Sequence, residues 1–520
     1  MAYRNSRSAY INLILFFVLF RIILNIFALP HYGFQRDEML HLALADHMAW
    51  GFKEVPPFVA WIAYLSTTLF GTSVAAARIF TTLFAGLIIL FTGLTTMEFG
   101  GRKFAITVAC LSLTFAPAFL ASDYLLQPVI FDQFWWVLSG YLLVKYFNTK
   151  QEKYLYFLGA AIGMGLLTKY TMAFYTGGLI IGILLSKSRK LLISKGVLIA
   201  AAIAILIFLP NIIWQLTHHL PLVTHMRKLR SSQLDYIKPS DFLIQQLIVN
   251  GSGIFVWLPG LLVLLITRKM RNYRFLGWAY LATLLLFVML SGKIYYLFGA
   301  YPLLFAAGGV GFERLMKARG IALRAVVCVV IIVPNFLLFP LVLPVIPIKT
   351  ALPLFKFAGE KMGFGFALKW EDHKMHATTQ DYGDMFGWDE LGQKVANAYH
   401  NLTPEQQKQT IIFANNYGEA GAVHHYGKQY GLPDVISLNS SFALWAPDSL
   451  DCKYIIYVDQ NNGRNTQGLL DDKRIGAAQR LGEIDNPLAR ENGTAIFLLS
   501  DLKPGLNAGY RKELLKTRSE

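Results

Sequence analysis

The sequence predicts a polytopic α-helical membrane domain followed by a soluble α/β domain, and three observations predict it. Of 520 residues, 55% are hydrophobic and only 15% are charged, against about 25% charged in an average soluble protein. The apolar residues are gathered into blocks of roughly 17–22 residues up to about position 346, long enough as helices to cross about 30 Å of hydrocarbon. Beyond that point the composition turns polar and mixed, over about 170 residues, a common domain size.

The blocks read as eleven spans, at 10–29, 73–97, 104–122, 125–145, 154–169, 172–186, 197–214, 251–267, 275–291, 295–312 and 322–346. The count is about 11 and reaches up to 13 if the Pro-rich 334–354 stretch hides a further pair. The net charge of +16 sits in short clusters between spans. They are Arg4 and Arg7; Arg102 and Lys103; Lys145, Lys150 and Lys153; Lys187, Arg189, Lys190 and Lys195; Arg268, Lys269, Arg271 and Arg274; and Arg314, Lys317, Arg319 and Arg324. Basic residues collect in cytoplasmic loops. With a cytoplasmic N-terminus every cluster falls on that side, which predicts a C-terminal domain on the far side. A nucleic-acid partner is excluded, because no basic face carries the interleaved aromatics that stacking needs. Cys110, Cys328 and Cys452 are too scattered for a disulfide framework or a CxxC metal site. Tyr10 to Leu29 is long and lacks a small-x-small cleavage site, so it reads as an uncleaved first span.

The first outer loop predicts two amphipathic helices within 37–71. One covers 38–50 (EMLHLALADHMAW) and is ended by Gly51; the other runs from Pro57 to residue 70 and is ended by Gly71. Their apolar faces would lie in the membrane interface, with Trp50 and Trp61 at headgroup level. The domains are therefore 1–350 in the membrane and 351–520 outside it. In the latter, Ile411–Ala414, Tyr454–Val458 and Ala495–Leu499 read as strands. Asn416 caps a helix running to about Tyr430, stopped by Gly431 and Pro433.

The candidate chemistry begins with the acidic pair Asp37–Glu38, just beyond the first span. Ionisable residues at a membrane edge are costly and point to function. The plainer reading makes Asp37 the N-cap of the helix at 38–50 and Glu38 a complement to its dipole. Asp132 lies about two turns into its span and reads either as a second functional acid or as a helix–helix hydrogen-bonding residue. Lys169 is a phosphate ligand or a lysine snorkelling toward headgroups. Arg227 and Arg230, with His225 and Lys228 near them, form a cationic loop suited to a phosphate or to anionic lipid. Lys293 is a further outer cation. Glu54, His218 and His219 are the candidate ligands of a divalent metal, although their spacing is a weak metal pattern. Acids and cations on one face suit transfer of a group from a lipid phosphate. The cations stabilise the departing phosphate and a carboxylate takes the proton of the attacking hydroxyl. The other class considered is a secondary transporter or lipid flippase, whose paired repeats and broken midplane spans are not apparent here.

The acidic pair, KEVPPFVAWIAYLSTTLFG, LLQPVIFDQFWW, GMGLLTKYT, NIIWQ, SGKIYYLFGAYPLLFAAGGVG and NNYGEAGAVHHYGKQYGLP, taken in their order along the chain, resemble the bacterial GT-C glycosyltransferases. The resemblance is to the protein O-mannosyltransferase and lipid A aminoarabinose transferase superfamily. It implies a multi-pass enzyme of the bacterial inner membrane that takes a sugar from a polyprenyl-phosphate donor on the periplasmic face. The acceptor would be a lipid A-like glycolipid or a protein. It also implies that Asp37 is the catalytic acidic residue with Glu38 its partner, that Asp132 is a second acidic position, and that Lys169 lies near the donor phosphate. The aminoarabinose transferases carry Glu-Lys-Pro in the first loop; this chain has Glu54-Val55-Pro56, without the lysine. Their metal site includes an outer-loop histidine, for which His218 or His219 would stand. An O-antigen ligase-type enzyme with a diphosphate-linked donor is the alternative within the fold.

Overall fold

A helix stands at each of the eleven apolar segments in the computed structural model, which describes residues 2–29, 31–316, 320–460 and 466–520. Lys317, Arg319 and the side chain of Arg4 lie outside the described residues. Five stretches are long and apolar enough to cross a membrane: Arg7–Ala28, Val74–Glu98, Lys195–Thr217, Arg268–Met289 and Ile294–Leu315. Counting the pair Pro239–Ile248 and Gly251–Ile266, bent by 92°, gives six. Of the others, Pro128–Thr149 has the length, at 22 residues, but is less apolar, and the rest are short or interrupted. Pro117, for example, divides Lys103–Phe115 from Pro117–Ser122, because proline cannot donate the helical hydrogen bond. Eleven crossings thus exceed what helix length and composition alone give. The segment 215–250, expected as an outer loop, is also not plain loop, since it holds the helices Pro221–Ser232 and Pro239–Ile248, each opened by a proline suited to that position.

The chain forms two units. The first comprises Met1–Leu29, Ala75–Ile213 and Arg227–Val345; the second comprises Pro30–Val74, Trp214–Met226 and Ile346–Glu520. Small residues let helices of the first unit approach closely. A Cβ added at Gly159 would lie 2.2 Å from the Ala200 carbonyl oxygen, and one at Gly163 would lie 3.0 Å from that of Ala204. This is the small-xxx-small packing used where lipid offers no hydrophobic drive. The same unit buries an ion pair. Arg21, 1% exposed, donates to Asp123 at 3.1 Å and to the carbonyls of Phe119 at 2.8 Å and Thr114 at 3.2 Å.

The second unit is built on a five-stranded sheet: β1 Thr410–Ala414, β2 Val435–Ile436, β3 Tyr454–Asp459, β4 Ile475–Glu483 and β5 Ala495–Leu502. Its order is β2-β1-β3-β5-β4. β1 runs parallel to both neighbours, and β5 runs antiparallel to β3 and β4. β1, β3 and β5 include the three predicted runs. As predicted, Asn416 caps the next helix, Tyr417–Gly427, through a capping box with Glu419, and Gly431 ends the following turn at φ +66°.

The first-loop helix departs from expectation. It spans Arg36–Asp46 rather than 38–50, and Glu38 to Ala45 are all buried. It is not an amphipathic helix lying in an interface. Its run MLHLALA is apolar on nearly every side, and a helix apolar all round is buried. It packs against Tyr417–Gly427, where a Cβ at Gly421 would come within 2.9 Å of the Met39 Cβ. Glycine at 421 therefore sets the spacing of the two helices. The second loop helix is Phe58–Phe70, ended by Gly71 at φ +84°.

Candidate active site

Asp37 does not cap its helix. Gln35, in extended backbone, does so: its side-chain oxygen accepts the Asp37 N–H at 2.8 Å, and the Glu38 carboxylate returns to accept the Gln35 N–H at 2.8 Å. This reciprocal capping box satisfies orphan helix donors. It gives the fully buried Glu38 a structural duty. The Asp37 side chain is left for other contacts and stays partly exposed.

The contact it makes is with a residue 380 positions away: the Tyr417 hydroxyl donates to Asp37 Oδ1 at 2.8 Å. Tyr417 opens the helix after β1, at the carboxyl end of a parallel strand, where ligand-facing groups gather in α/β sheets. The Arg36 guanidinium lies over its ring at 4.4 Å and pairs with the buried Glu491 at 3.6 Å. Burial, reinforced by the Asp37 charge, holds the Tyr417 phenol well above its ordinary range. It therefore remains protonated and can only donate to the carboxylate. Behind this pair, Arg490 donates to Asp384 at 3.4 Å and to Glu371 at 3.1 Å.

Burial outweighs that guanidinium and Arg36 and pushes the Asp384 carboxyl up to about 7, helped by the Asp37 and Asp381 charges. An acid whose pKa is raised on folding contributes stability that is full below its unfolded value and lost as pH rises through the folded one. Raising the pH from about 4 to 8 should therefore cost the second unit on the order of a few kcal/mol through this group. Asp384→Asn should flatten that slope in unfolding measurements on the full chain. An equal slope in the variant would show that another group carries it.

In the first unit, Asp132 is buried and accepts from the Thr171 hydroxyl at 2.6 Å and the Trp136 indole at 2.9 Å. The helix–helix hydrogen-bonding reading is the one its geometry displays. Lys169, in the turn between Lys153–Leu166 and Thr171–Leu184, has Nζ 4.4 Å from the Tyr295 ring centroid and 5.0 Å from that of Tyr296. Asp132 and Lys293 are within its electrostatic reach. Asp132, Lys169 and Lys293 are thus brought together. Arg227 and Arg230 are exposed on the helix Pro221–Ser232, and Arg230 pairs with Asp235 at 3.1 Å.

The residues expected to bind a divalent metal do not fit one. Among the described residues no group of three or more His, Cys, Asp or Glu side chains converges. Glu54 accepts from the Ser440 hydroxyl and, at 2.5 Å, from that of Ser441. His218 stacks on Trp214, its ring 4.3 Å away, with Nδ1 2.9 Å from the Trp214 carbonyl oxygen. His219 is exposed, at φ +62°.

Comparison with known proteins agrees with this architecture. The family model for dolichyl-phosphate-mannose-protein mannosyltransferase matches residues 54–214. The lipid A galacturonosyltransferase RgtD of Rhizobium johnstonii is 26% identical over 220 residues, 41% of this chain and 44% of that protein. The lipopolysaccharide core galacturonosyltransferase RgtA of the same organism is 28% identical over 222 residues, 41% and 42% of the respective chains. The match thus spans less than half the length of either relative. ArnT from Cupriavidus metallidurans, crystallised with undecaprenyl phosphate, superposes with a TM-score of 0.64 over 93% of this chain and 97% of its own, at 14% identity. The archaeal oligosaccharyltransferase AglB from Archaeoglobus fulgidus, in complex with an inhibitory peptide and a dolichol-phosphate, gives 0.51 over 87% and 69%, at 12% identity. The chain is thus similar over residues 54–214 to that mannosyltransferase family and shares the fold of ArnT.

Proposed function

We propose that this chain is a membrane glycosyltransferase that moves a sugar from a polyprenyl-phosphate donor to an envelope glycolipid, with inversion, at the periplasmic face of a bacterial inner membrane. The observation that carries the reading is Asp37: a partly exposed carboxylate, relieved of capping by Gln35 and held by Tyr417. The acceptor hydroxyl oxygen attacks the anomeric carbon, and its proton passes to the Asp37 carboxylate. The bond from that carbon to the phosphate oxygen breaks, and its electron pair leaves on the phosphate. Stabilising the charge that develops there calls for a cation, and Lys169, with Lys293 in its electrostatic reach within the first unit, is the expected one. Tyr295 and Tyr296 flank the Lys169 ammonium. Asp132 keeps the turn in place through Thr171 and Trp136. The names of the matched relatives, which act on lipid A and on the lipopolysaccharide core, support a glycolipid acceptor over a protein.

Purified protein in lipid discs, given monophosphate-linked and diphosphate-linked sugars with lipid A, tests the reading by mass spectrometry of the products. Transfer from the monophosphate-linked donor is expected, and transfer from the diphosphate-linked donor alone would favour the ligase alternative. Lys169→Ala should raise the donor KM by about 10–100-fold, the worth of one charge-assisted contact. An unchanged donor KM would remove Lys169 from the phosphate.

A further inference from the structure

We propose that Tyr417, contributed by the C-terminal part of the chain, is a positioning residue for the reaction: its hydroxyl aims the Asp37 carboxylate. The inference rests on reading Asp37 as the base. Three observations carry it. The hydroxyl donates to Asp37 Oδ1 at 2.8 Å. The ring is fixed from one side by the Arg36 guanidinium at 4.4 Å, itself tied to the buried Glu491. The backbone of Tyr417 is fixed as well, because Asn416 caps its helix by accepting the N–H groups of Gly418 at 2.8 Å and Glu419 at 3.0 Å. Arg36 and Asp37 are consecutive, so one short segment supplies both the base and the cation that holds the base's partner. Close packing also supports this placement: a Cβ at Gly418 would lie 2.6 Å from Arg36 Nε. A base held in this way has one oxygen engaged and the other left to meet the acceptor proton. Such preorganisation is how a supporting residue acts on a rate without touching the substrate.

Tyr417→Phe keeps the ring beneath Arg36 and removes only the donor. A base must be ionised to act, so activity falls as pH drops through its titration. Withdrawing a hydrogen bond from the ionised form moves that fall to higher pH. The acid limb of kcat/KM against pH should therefore rise by about one pH unit. Activity should drop about 10-fold below the limb and recover largely above it. Incorporating 3-fluorotyrosine at 417 leaves the shape nearly unchanged and strengthens the donor, so the limb should move the opposite way. This second replacement answers the question even if the phenylalanine variant folds poorly. A limb that stays put in both, or a loss equal at every pH, would overturn the positioning role while leaving Asp37 as base. Full turnover by Asp37→Asn would overturn the base and the positioning role together.

Discussion

Asp37→Asn is expected to lower sugar transfer by about 10²–10⁴-fold, the range that general-base catalysis contributes, while the protein stays folded. Asparagine has nearly the same shape and keeps an oxygen to accept the Tyr417 hydroxyl, which donates to Asp37 at 2.8 Å in the wild type. It cannot take up a proton. The helix end is also undisturbed, because Gln35 and Glu38 do the capping. The variant should melt within a few degrees of wild type and still bind the lipid-linked donor. Turnover near the wild-type rate would dismiss Asp37 as the base, whatever became of stability.

The largest loss of stability is expected from Asp123→Ala. Arg21 and Asp123 are both nearly inaccessible, at 1% and 3% side-chain exposure, and stand 3.1 Å apart. Removing one partner of a buried pair leaves an uncompensated charge, which costs about 3–5 kcal/mol. Ser122 also donates to this carboxylate at 2.9 Å but keeps the Ala118 carbonyl at 2.9 Å as an acceptor, and Asn25 donates to the Asp123 backbone oxygen at 2.9 Å, so the cost falls on Arg21. Replacing both charges, as Arg21→Met with Asp123→Leu, should restore much of the loss, because the penalty lies in the unpaired charge and not in the pair's net worth. Thermal unfolding in detergent measures both variants. A single Asp123→Ala variant as stable as wild type would mean that the Phe119 and Thr114 carbonyls alone suffice for Arg21.

Elements whose cause is local were legible in the sequence. The apolar blocks marked the five membrane-length helices among the described residues, and Asn416 marked a helix start, because a cap acts on N–H groups two and three residues away. Strands β1, β3 and β5 were visible as apolar runs. β2 was not, having only two residues, Val435–Ile436. Nor was β4, whose IGAAQRLGE is mostly exposed at the sheet edge and lacks a buried face to impose alternation. The first-loop helix was legible as a helix, but its surroundings were misread. MLHLALA was assigned a lipid-facing side, although only the partner helix Tyr417–Gly427 decides what covers it.

The site divides along the same line. Sequence alone determined that this chain carries membrane-length helices, an acidic pair after the first of them, a lysine turn at Lys169, and an α/β part, because composition, helical period and capping chemistry act within a few residues. Only the tertiary structure decided which acid of the pair stays available. It did so by letting Gln35 cap and Glu38 close the box, and by bringing Tyr417 to Asp37 across 380 residues. It likewise gave Glu54 to Ser440 and Ser441, and His218 to Trp214. The physical reason is range: a hydrogen bond between side chains acts over about 3 Å, and which distant residues come that near is settled only when the helices pack.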